Sequence, residues 1–232
     1  MIESLHVKEQ ITESINMTDQ QPAPSACSFF PDLLRYLNER KQKFGAIATD
    51  RKTDLERVAD YIRERVSKSE PAKLTFICTH NSRRSHLAQI WAQLAADFYG
   101  IDGVETFSGG TEATAFNLRA VAALQRCGLK IVADDPASSN PRYSVTTSDS
   151  STPQVCFSKV YDDPPNPSKG YCALMTCSQA DNACPLVMGC DLRIPIRYED
   201  PKVADDTEFE AQRYDERSDQ ICREMLYLMS LV

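Results

Sequence analysis

Apolar and polar positions along this chain predict strands and helices in alternation from residue 73 onward. Short apolar runs predict strands at 74–78, 104–107, 130–132 and 173–176. Apolar side chains at helical spacing predict helices at 85–99, 117–127 and 208–231. We therefore expect an α/β fold, a four-stranded parallel sheet with helices on both faces. Ligand sites in such sheets lie beyond the carboxyl ends of the strands.

Three segments stand outside this alternation. Residues 1–26 are polar, and we expect a flexible tail there. Residues 27–70 contain two stretches of helical spacing, which predict a helical extension joined to an α/β domain at 71–232. Residues 133–170 are rich in proline, serine, aspartate and threonine, and they predict an insertion that forms a hairpin or a lid.

Composition and charge narrow the functional classes. The chain has 232 residues and a net charge of −7, which argues against nonspecific nucleic-acid binding. Because it has no long apolar run and no secretory pattern at its N-terminus, we expect no membrane partner and a cytoplasmic location. Nine cysteines in such a chain favour thiol chemistry or metal binding over a disulfide framework.

One loop combines a thiol with an anion-binding group. It lies between the strand at 74–78 and the helix at 85–99, and it reads Cys78-Thr79-His80-Asn81-Ser82-Arg83-Arg84-Ser85. A strand-to-helix turn directs backbone N–H groups and a helix dipole at one point, which favours a thiolate at Cys78. Arg84 can bind an oxyanion through two parallel hydrogen bonds, and Ser85 can donate to the thiolate. The loop therefore predicts covalent chemistry on a phosphate-like oxyanion, surrounded by the residues from Thr79 to Ser85.

The motif Cys-Thr-x-Asn-Ser-x-Arg-Ser before a helix resembles the low-molecular-weight protein tyrosine phosphatase superfamily. That superfamily includes the thioredoxin-coupled arsenate reductases. The resemblance covers about residues 72–232, apart from the insertion, and extends to the stretch Ser108-Gly109-Gly110-Thr111-Glu112. It implies an enzyme with Cys78 as nucleophile, and no cofactor is expected. Two positions depart from the family pattern: His80 replaces the usual glycine, and Arg83 replaces a residue that is often cysteine.

A second pair of cysteines makes the arsenate reductases the nearest pattern. Six residues lie between Cys177 and Cys184, and Pro185 follows the second cysteine. The resemblance implies a relay in which Cys78 attacks arsenate and Cys177 then attacks Cys78 and releases arsenite. Cys184 then attacks Cys177, and a thioredoxin-like protein reduces the resulting disulfide.

A general acid completes the expected site. Expelling the leaving group needs a proton donor within reach. The segment Tyr198-Glu199-Asp200-Pro201 precedes the last helix and resembles the acid-bearing loop of the family, so Asp200 is the expected acid. Asp163 is the alternative if the insertion folds over the site. His86, on the helix after the loop, is expected to be exposed, and Cys127 and Cys222 to be core thiols.

Three other interpretations remain open from the residues alone. A phosphotyrosine phosphatase would use Cys78, Arg84 and Asp200, with the cysteine pair protecting Cys78 from overoxidation. A binding module would hold a phosphorylated ligand without turning it over. A zinc site would use the thiols of the cysteine-rich span, although they lack the close pairing typical of such sites: Cys172, Cys177, Cys184 and Cys190.

Overall fold

The structure, a computed structural model, describes residues 29–232, so the predicted tail at 1–26 lies outside the described residues. Helices in this part are α1 (Pro31–Lys41), α2 (Thr49–Ser67), α3 (Arg84–Tyr99), α4 (Leu118–Arg126), α5 (Ser178–Ala183) and α6 (Glu210–Met229), with 3-10 turns at Phe44–Ala46 and Pro201–Ala204. Strands are β1 (Ala72–Cys78), β2 (Val104–Gly110), β3 (Lys130–Ala133), β4 (Tyr143–Thr146), β5 (Gln154–Cys156), β6 (Tyr171–Met175) and β7 (Cys190–Pro195). None of these helices is long and apolar enough to cross a membrane.

A four-stranded parallel sheet in the order β2-β1-β6-β7 forms the centre of the fold. The predicted α/β class is confirmed. In register, Cys78 lies opposite Gly110 on β2, and Ile77 lies opposite Met175 on β6. Because the strands are parallel, their carboxyl ends share one edge, and this edge brings the Cys78 loop beside the segment that follows β6.

One of the four strands predicted for the parallel sheet lies elsewhere. The strand predicted at 130–132 is β3, which pairs antiparallel with β4 in a separate three-stranded sheet. Its side chains alternate between buried and exposed, and Val132 is largely exposed, as expected for a strand with one covered face. The fourth parallel strand is β7, whose partly exposed edge position and charged Asp191 and Arg193 weaken the apolar pattern that marks a buried strand.

The sheet separates two apolar clusters. The larger one joins Leu74 and Phe76 of β1 to α1, α2, α3, α4 and α6. Cys127 and Cys222 are buried in it, as predicted. The smaller cluster lies on the opposite face, where Ile77 and Met175 contact α5 and the segment after it. The helices at 31–67 thus share the core of the α/β unit, while the domain boundary at residue 70 stays a prediction.

Candidate active site

The Cys78 loop forms a cradle at the carboxyl end of β1. Arg84 is the first residue of α3, so the loop lies at the positive end of a 16-residue helix. Cys78 is buried, with its Sγ 3.1 Å from Ser85 Oγ. Asn81 Nδ2 donates to the same Ser85 oxygen at 2.9 Å, which leaves the hydroxyl proton of Ser85 free to donate to a Cys78 thiolate. A backbone hydrogen bond from Lys159 to Asn81 Oδ1, 3.0 Å long, holds the Asn81 amide in this orientation.

Five of the loop residues and Asp200 surround a small cavity of about 10 Å³, enough for about one water molecule. Its lining consists of Cys78, His80, Ser82, Arg83, Arg84 and Asp200. Asn81 and Ser85 lie buried within the loop instead, and Thr79 Oγ1 contacts the Cys177 thiol. Apart from Thr79, the predicted oxyanion-binding residues therefore divide between the cavity wall and its support.

Asp200 lies against both arginines of the loop. Arg84 Nη2 donates to Asp200 Oδ2 at 2.7 Å, and Arg83 Nε donates to Oδ1 at 2.9 Å. Burial opposes ionisation of Asp200, but the charges of Arg84 and Arg83 outweigh it and lower the pKa of this carboxyl. Asp163, the alternative acid, is exposed and accepts a hydrogen bond from the backbone of its own turn at Val160. The carboxylate that touches Arg84 is thus Asp200.

Cys177 follows β6 and is fully covered. Its Sγ lies 3.5 Å from Thr79 Oγ1 and accepts a hydrogen bond from the backbone of Ala180 at 3.3 Å, which caps α5. Cys177 and Cys78 belong to the same apolar cluster, and Cys184 packs at its margin. Cys184 caps the other end of α5 and is partly exposed. The structure therefore places the first two cysteines together and the third at the far end of a six-residue helix.

All eight cysteines in the described part of the chain are free thiols. Within residues 29–232, no group of three or more histidine, cysteine or acidic side chains is arranged to hold a metal ion. The zinc interpretation of the cysteine-rich span therefore finds no ligand cluster in this part of the molecule.

The insertion supports the back of the loop, a role that the sequence did not reveal. Ser158 is buried, donates to the carbonyl of His80 at 3.0 Å and accepts from the backbone of Thr114 at 2.8 Å. Asn140 brackets Ser158 by accepting from its backbone N–H and donating to its carbonyl. Glu112 adds a backbone donor to the carbonyl of Thr79 at 2.8 Å. Because these contacts involve backbone N–H and carbonyl groups, no side-chain motif in the sequence indicates them.

Close packing explains the two glycines that end β2. A side chain at Gly109 would collide with the backbone of Tyr161, and one at Gly110 would collide with Asn81 and Glu112. The glycines therefore let the insertion and the Cys78 loop approach the same strand end.

His86 is buried, so the predicted exposed position is wrong. Its ring stacks on Phe116 at 4.1 Å between centroids, and its Nδ1 lies 3.5 Å from Asn81 Nδ2. Burial, together with the charge of Lys159, lowers the pKa of His86 to about 3, so its ring is neutral near pH 7. The helical pattern missed this because Phe116, which covers the ring, lies 30 residues away in sequence.

A wider groove opens beside the small cavity. Its volume is about 620 Å³, and it runs from Arg84 and Asp200 toward α5. Ser178 and Arg197 line it, together with the exposed side chain of Val203. A leaving group or a peptide attached to the oxyanion has room there.

Three solved structures of known proteins are similar to this chain. A low-molecular-weight phosphotyrosine phosphatase from Vibrio cholerae is similar at 14% identity, covering 68% of this chain and 95% of that one, with a TM-score of 0.45. A low-molecular-weight protein tyrosine phosphatase from T. tengcongensis is similar at 16% identity, 69% and 99% coverage, and a TM-score of 0.44. An arsenate reductase from Archaeoglobus fulgidus is similar at 14% identity, 66% and 98% coverage, and a TM-score of 0.39.

Nearly the full length of each of these three structures aligns with about two thirds of this chain. No protein-family model matches it, and no curated protein matches it. Because the solved neighbours share at most 16% identity in these three comparisons and their TM-scores lie below 0.5, the activity must be inferred from the site itself.

Proposed function

We propose that the protein is an arsenate reductase that works by a thiol relay from Cys78 to Cys177 to Cys184. The observation that carries this proposal is the buried position of Cys177 against the oxyanion loop, with its Sγ 3.5 Å from Thr79 Oγ1. A phosphatase needs no second thiol at this place. Cys177 lies in one apolar cluster with Cys78, at the same edge of the sheet as the sulfur that it would attack.

The first step is attack of the Cys78 thiolate on arsenic. A sulfur–arsenic bond forms, and when dihydrogen arsenate is the species attacked, one of its oxygens leaves as water with both protons. Arg84 and the start of α3 bind the remaining oxygens, and Ser85 holds the thiolate before attack.

The second step is reduction. The Cys177 thiolate attacks the Cys78 sulfur, so a disulfide forms while the sulfur–arsenic bond breaks. The bonding electron pair goes to arsenic, which leaves as arsenite, and two thiols have been oxidised to one disulfide. Proximity of the two cysteines favours this step over release of arsenate.

The third step transfers the disulfide to the surface. The Cys184 thiolate attacks Cys177 and frees Cys78. Since Cys177 and Cys184 cap the two ends of α5, a rise of about 1.5 Å per residue places their Cα atoms about 10 Å apart. A disulfide needs a separation below about 7 Å, so α5 must unwind when this bond forms. The partly exposed Cys184 then offers the disulfide to a thioredoxin-like dithiol, which places the cycle in a reducing compartment such as the cytoplasm.

Turnover with a thioredoxin system tests the proposal. We expect Cys184→Ser to release at most one arsenite per protein and to lose thioredoxin-driven turnover. Cys190→Ser is the matched control, because Cys190 is a partly exposed thiol at the margin of the same cluster and has no part in the relay. Unchanged turnover in Cys184→Ser would contradict the relay.

A protein tyrosine phosphatase is the second candidate, and the groove beside Arg84 favours it because it has room for a peptide. In that reaction Cys78 forms a phosphocysteine, and Asp200 protonates the phenolate. Steady hydrolysis of p-nitrophenyl phosphate, with all thiols remaining free after arsenate treatment, would favour the phosphatase.

A further inference from the structure

Arg83 donates two hydrogen bonds to Asp200, here called the Arg83 fork, in addition to the hydrogen bond from Arg84. Arg83 Nε donates to Oδ1 at 2.9 Å and its Nη2 donates to Oδ2 at 3.4 Å, while Arg84 Nη2 donates to Oδ2 at 2.7 Å. The backbone of Lys202 adds a donor to Oδ1 at 3.1 Å. A carboxylate offers about four acceptor positions, and all are used here. Asp200 is therefore held as an acceptor with no position left for a proton.

Entry of an oxyanion changes only part of this arrangement. A tetrahedral oxyanion is larger than the cavity of about 10 Å³, so binding it through two hydrogen bonds from Arg84 draws that guanidinium away from Asp200. The fork from Arg83 does not involve Arg84, and its side chain is only 12% exposed. Asp200 thus retains a two-point cationic partner after the oxyanion has bound.

This persistent pairing of Asp200 affects aryl phosphates and arsenate differently as substrates. The phenolate of an aryl phosphate must receive a proton from the enzyme, and a carboxylate held by an arginine fork donates poorly. Dihydrogen arsenate carries the protons for its own leaving water, so attack by Cys78 does not depend on Asp200 as an acid.

We propose that Arg83 is a positioning residue that determines specificity, because its fork on Asp200 suppresses cleavage of phosphate esters and leaves the arsenate relay intact. This inference rests on the proposed function.

The test is Arg83→Gln, assayed on arsenate and on phenyl phosphate, whose phenolate is a poorer leaving group than p-nitrophenolate and therefore needs the proton. A general acid contributes about 10²–10⁴ in rate, so we expect release of Asp200 to raise kcat for the ester about tenfold or more at pH 7. The alkaline limb of the pH profile should move to higher pH, since Asp200 keeps its proton longer. The double variant Arg83→Gln/Asp200→Asn should lose the gain, which a merely structural effect of the first substitution would not predict.

Two further variants separate the effect of Arg83 from a general effect of losing an arginine or of misfolding. Arg197→Gln removes another arginine beside the groove, but its carboxylate partner is Asp181, so ester hydrolysis should not rise. If Arg83→Gln does not fold, Arg83→Lys keeps the charge and loses the fork, and it should show a smaller gain in the same direction. Ester hydrolysis that is unchanged or lower in the folded variants would overturn the inference. A wild-type protein that forms no arsenate-dependent disulfide would instead overturn the proposed function, so the two failures are distinguishable.

Discussion

The anchor of α5 provides a quantitative prediction about the relay. Asp181 lies on α5 with its carboxylate 5% exposed, and it accepts hydrogen bonds from Arg197 Nε at 2.6 Å and from the Arg193 guanidinium. Arg193 also donates to the carbonyl of Cys184 at 3.2 Å and to that of Asp181 at 2.8 Å. These contacts tie the helix between the two relay cysteines to β7 and the segment after it.

Asp181→Asn weakens that anchor while keeping its shape. A hydrogen bond to a charged group contributes about 1.5–3 kcal/mol. The Arg197 side chain is 55% exposed, so solvent screens its interaction with Asp181. We therefore expect the substitution to lower the free energy that holds α5 in its helical form by about 2 kcal/mol. Because α5 must unwind before Cys177 and Cys184 can join, and 1.4 kcal/mol corresponds to a factor of ten, disulfide formation should accelerate about 30-fold.

The assay removes the arsenate steps from the measurement. In a Cys78→Ser background, the protein is mixed with the thiol oxidant diamide and quenched with acid. Formation of the Cys177–Cys184 disulfide is then followed by mass spectrometry. Asp191→Asn is the matched control, since Asp191 is a carboxylate paired with Arg65 and lies outside α5. A rate for Asp181→Asn within twofold of the background protein, or a slower one, would refute the claim that this ion pair holds the helix closed.

Three further outcomes follow from the site. Arg84→Lys should lower kcat/KM for arsenate about 100-fold or more, because lysine cannot make the two parallel hydrogen bonds to the oxyanion. Steady-state kinetics checks this, with Arg126→Gln as the control, because Arg126 pairs with Asp215 away from the site. Ser158→Ala should lower kcat/KM for arsenate about tenfold and reduce the free energy of unfolding by about 1–3 kcal/mol, because it leaves the backbone N–H of Thr114 without its partner. Denaturation and kinetics test this, and unchanged values in both would contradict the supporting role of the insertion. In the folded protein the pKa of His86 is about 3, whereas in the unfolded chain His86 gains a proton near pH 6.5, so the contribution of the buried ring to stability is full above pH 6.5 and falls as the pH drops toward 3. In urea denaturation, the wild-type protein should lose about 1.4 kcal/mol more unfolding free energy between pH 7.5 and 5.5 than His86→Gln does. Equal losses in the two proteins would contradict the burial argument.

The Cys78 loop could be predicted because its signal is local. Cys78, Arg84 and Ser85 are placed by a strand, a turn and a helix that are contiguous in sequence, so spacing alone brings them together. The sequence predicted only that Cys177 follows a strand of the parallel sheet, and it left open whether this thiol comes within reach of Cys78 at the shared carboxyl edge.

The parts that the sequence did not reveal depend on distant or backbone contacts. Helix α5 is six mostly polar residues long, and too short for an apolar period to mark it. The support from Ser158 acts on a backbone carbonyl 78 positions away, and the burial of His86 depends on Phe116. The antiparallel placement of β3 is decided by its partner β4 within the insertion, which a short apolar run does not specify.

The relay is tested most directly by mapping disulfides after arsenate treatment. Reduced protein is incubated with arsenate, free thiols are blocked with an alkylating reagent, and peptides are analysed by mass spectrometry, with Cys78→Ser as the parallel sample. The thiol relay predicts a Cys177–Cys184 disulfide that requires both arsenate and Cys78. Free thiols throughout, with p-nitrophenyl phosphate still hydrolysed, would contradict the relay and assign the site to phosphate ester cleavage.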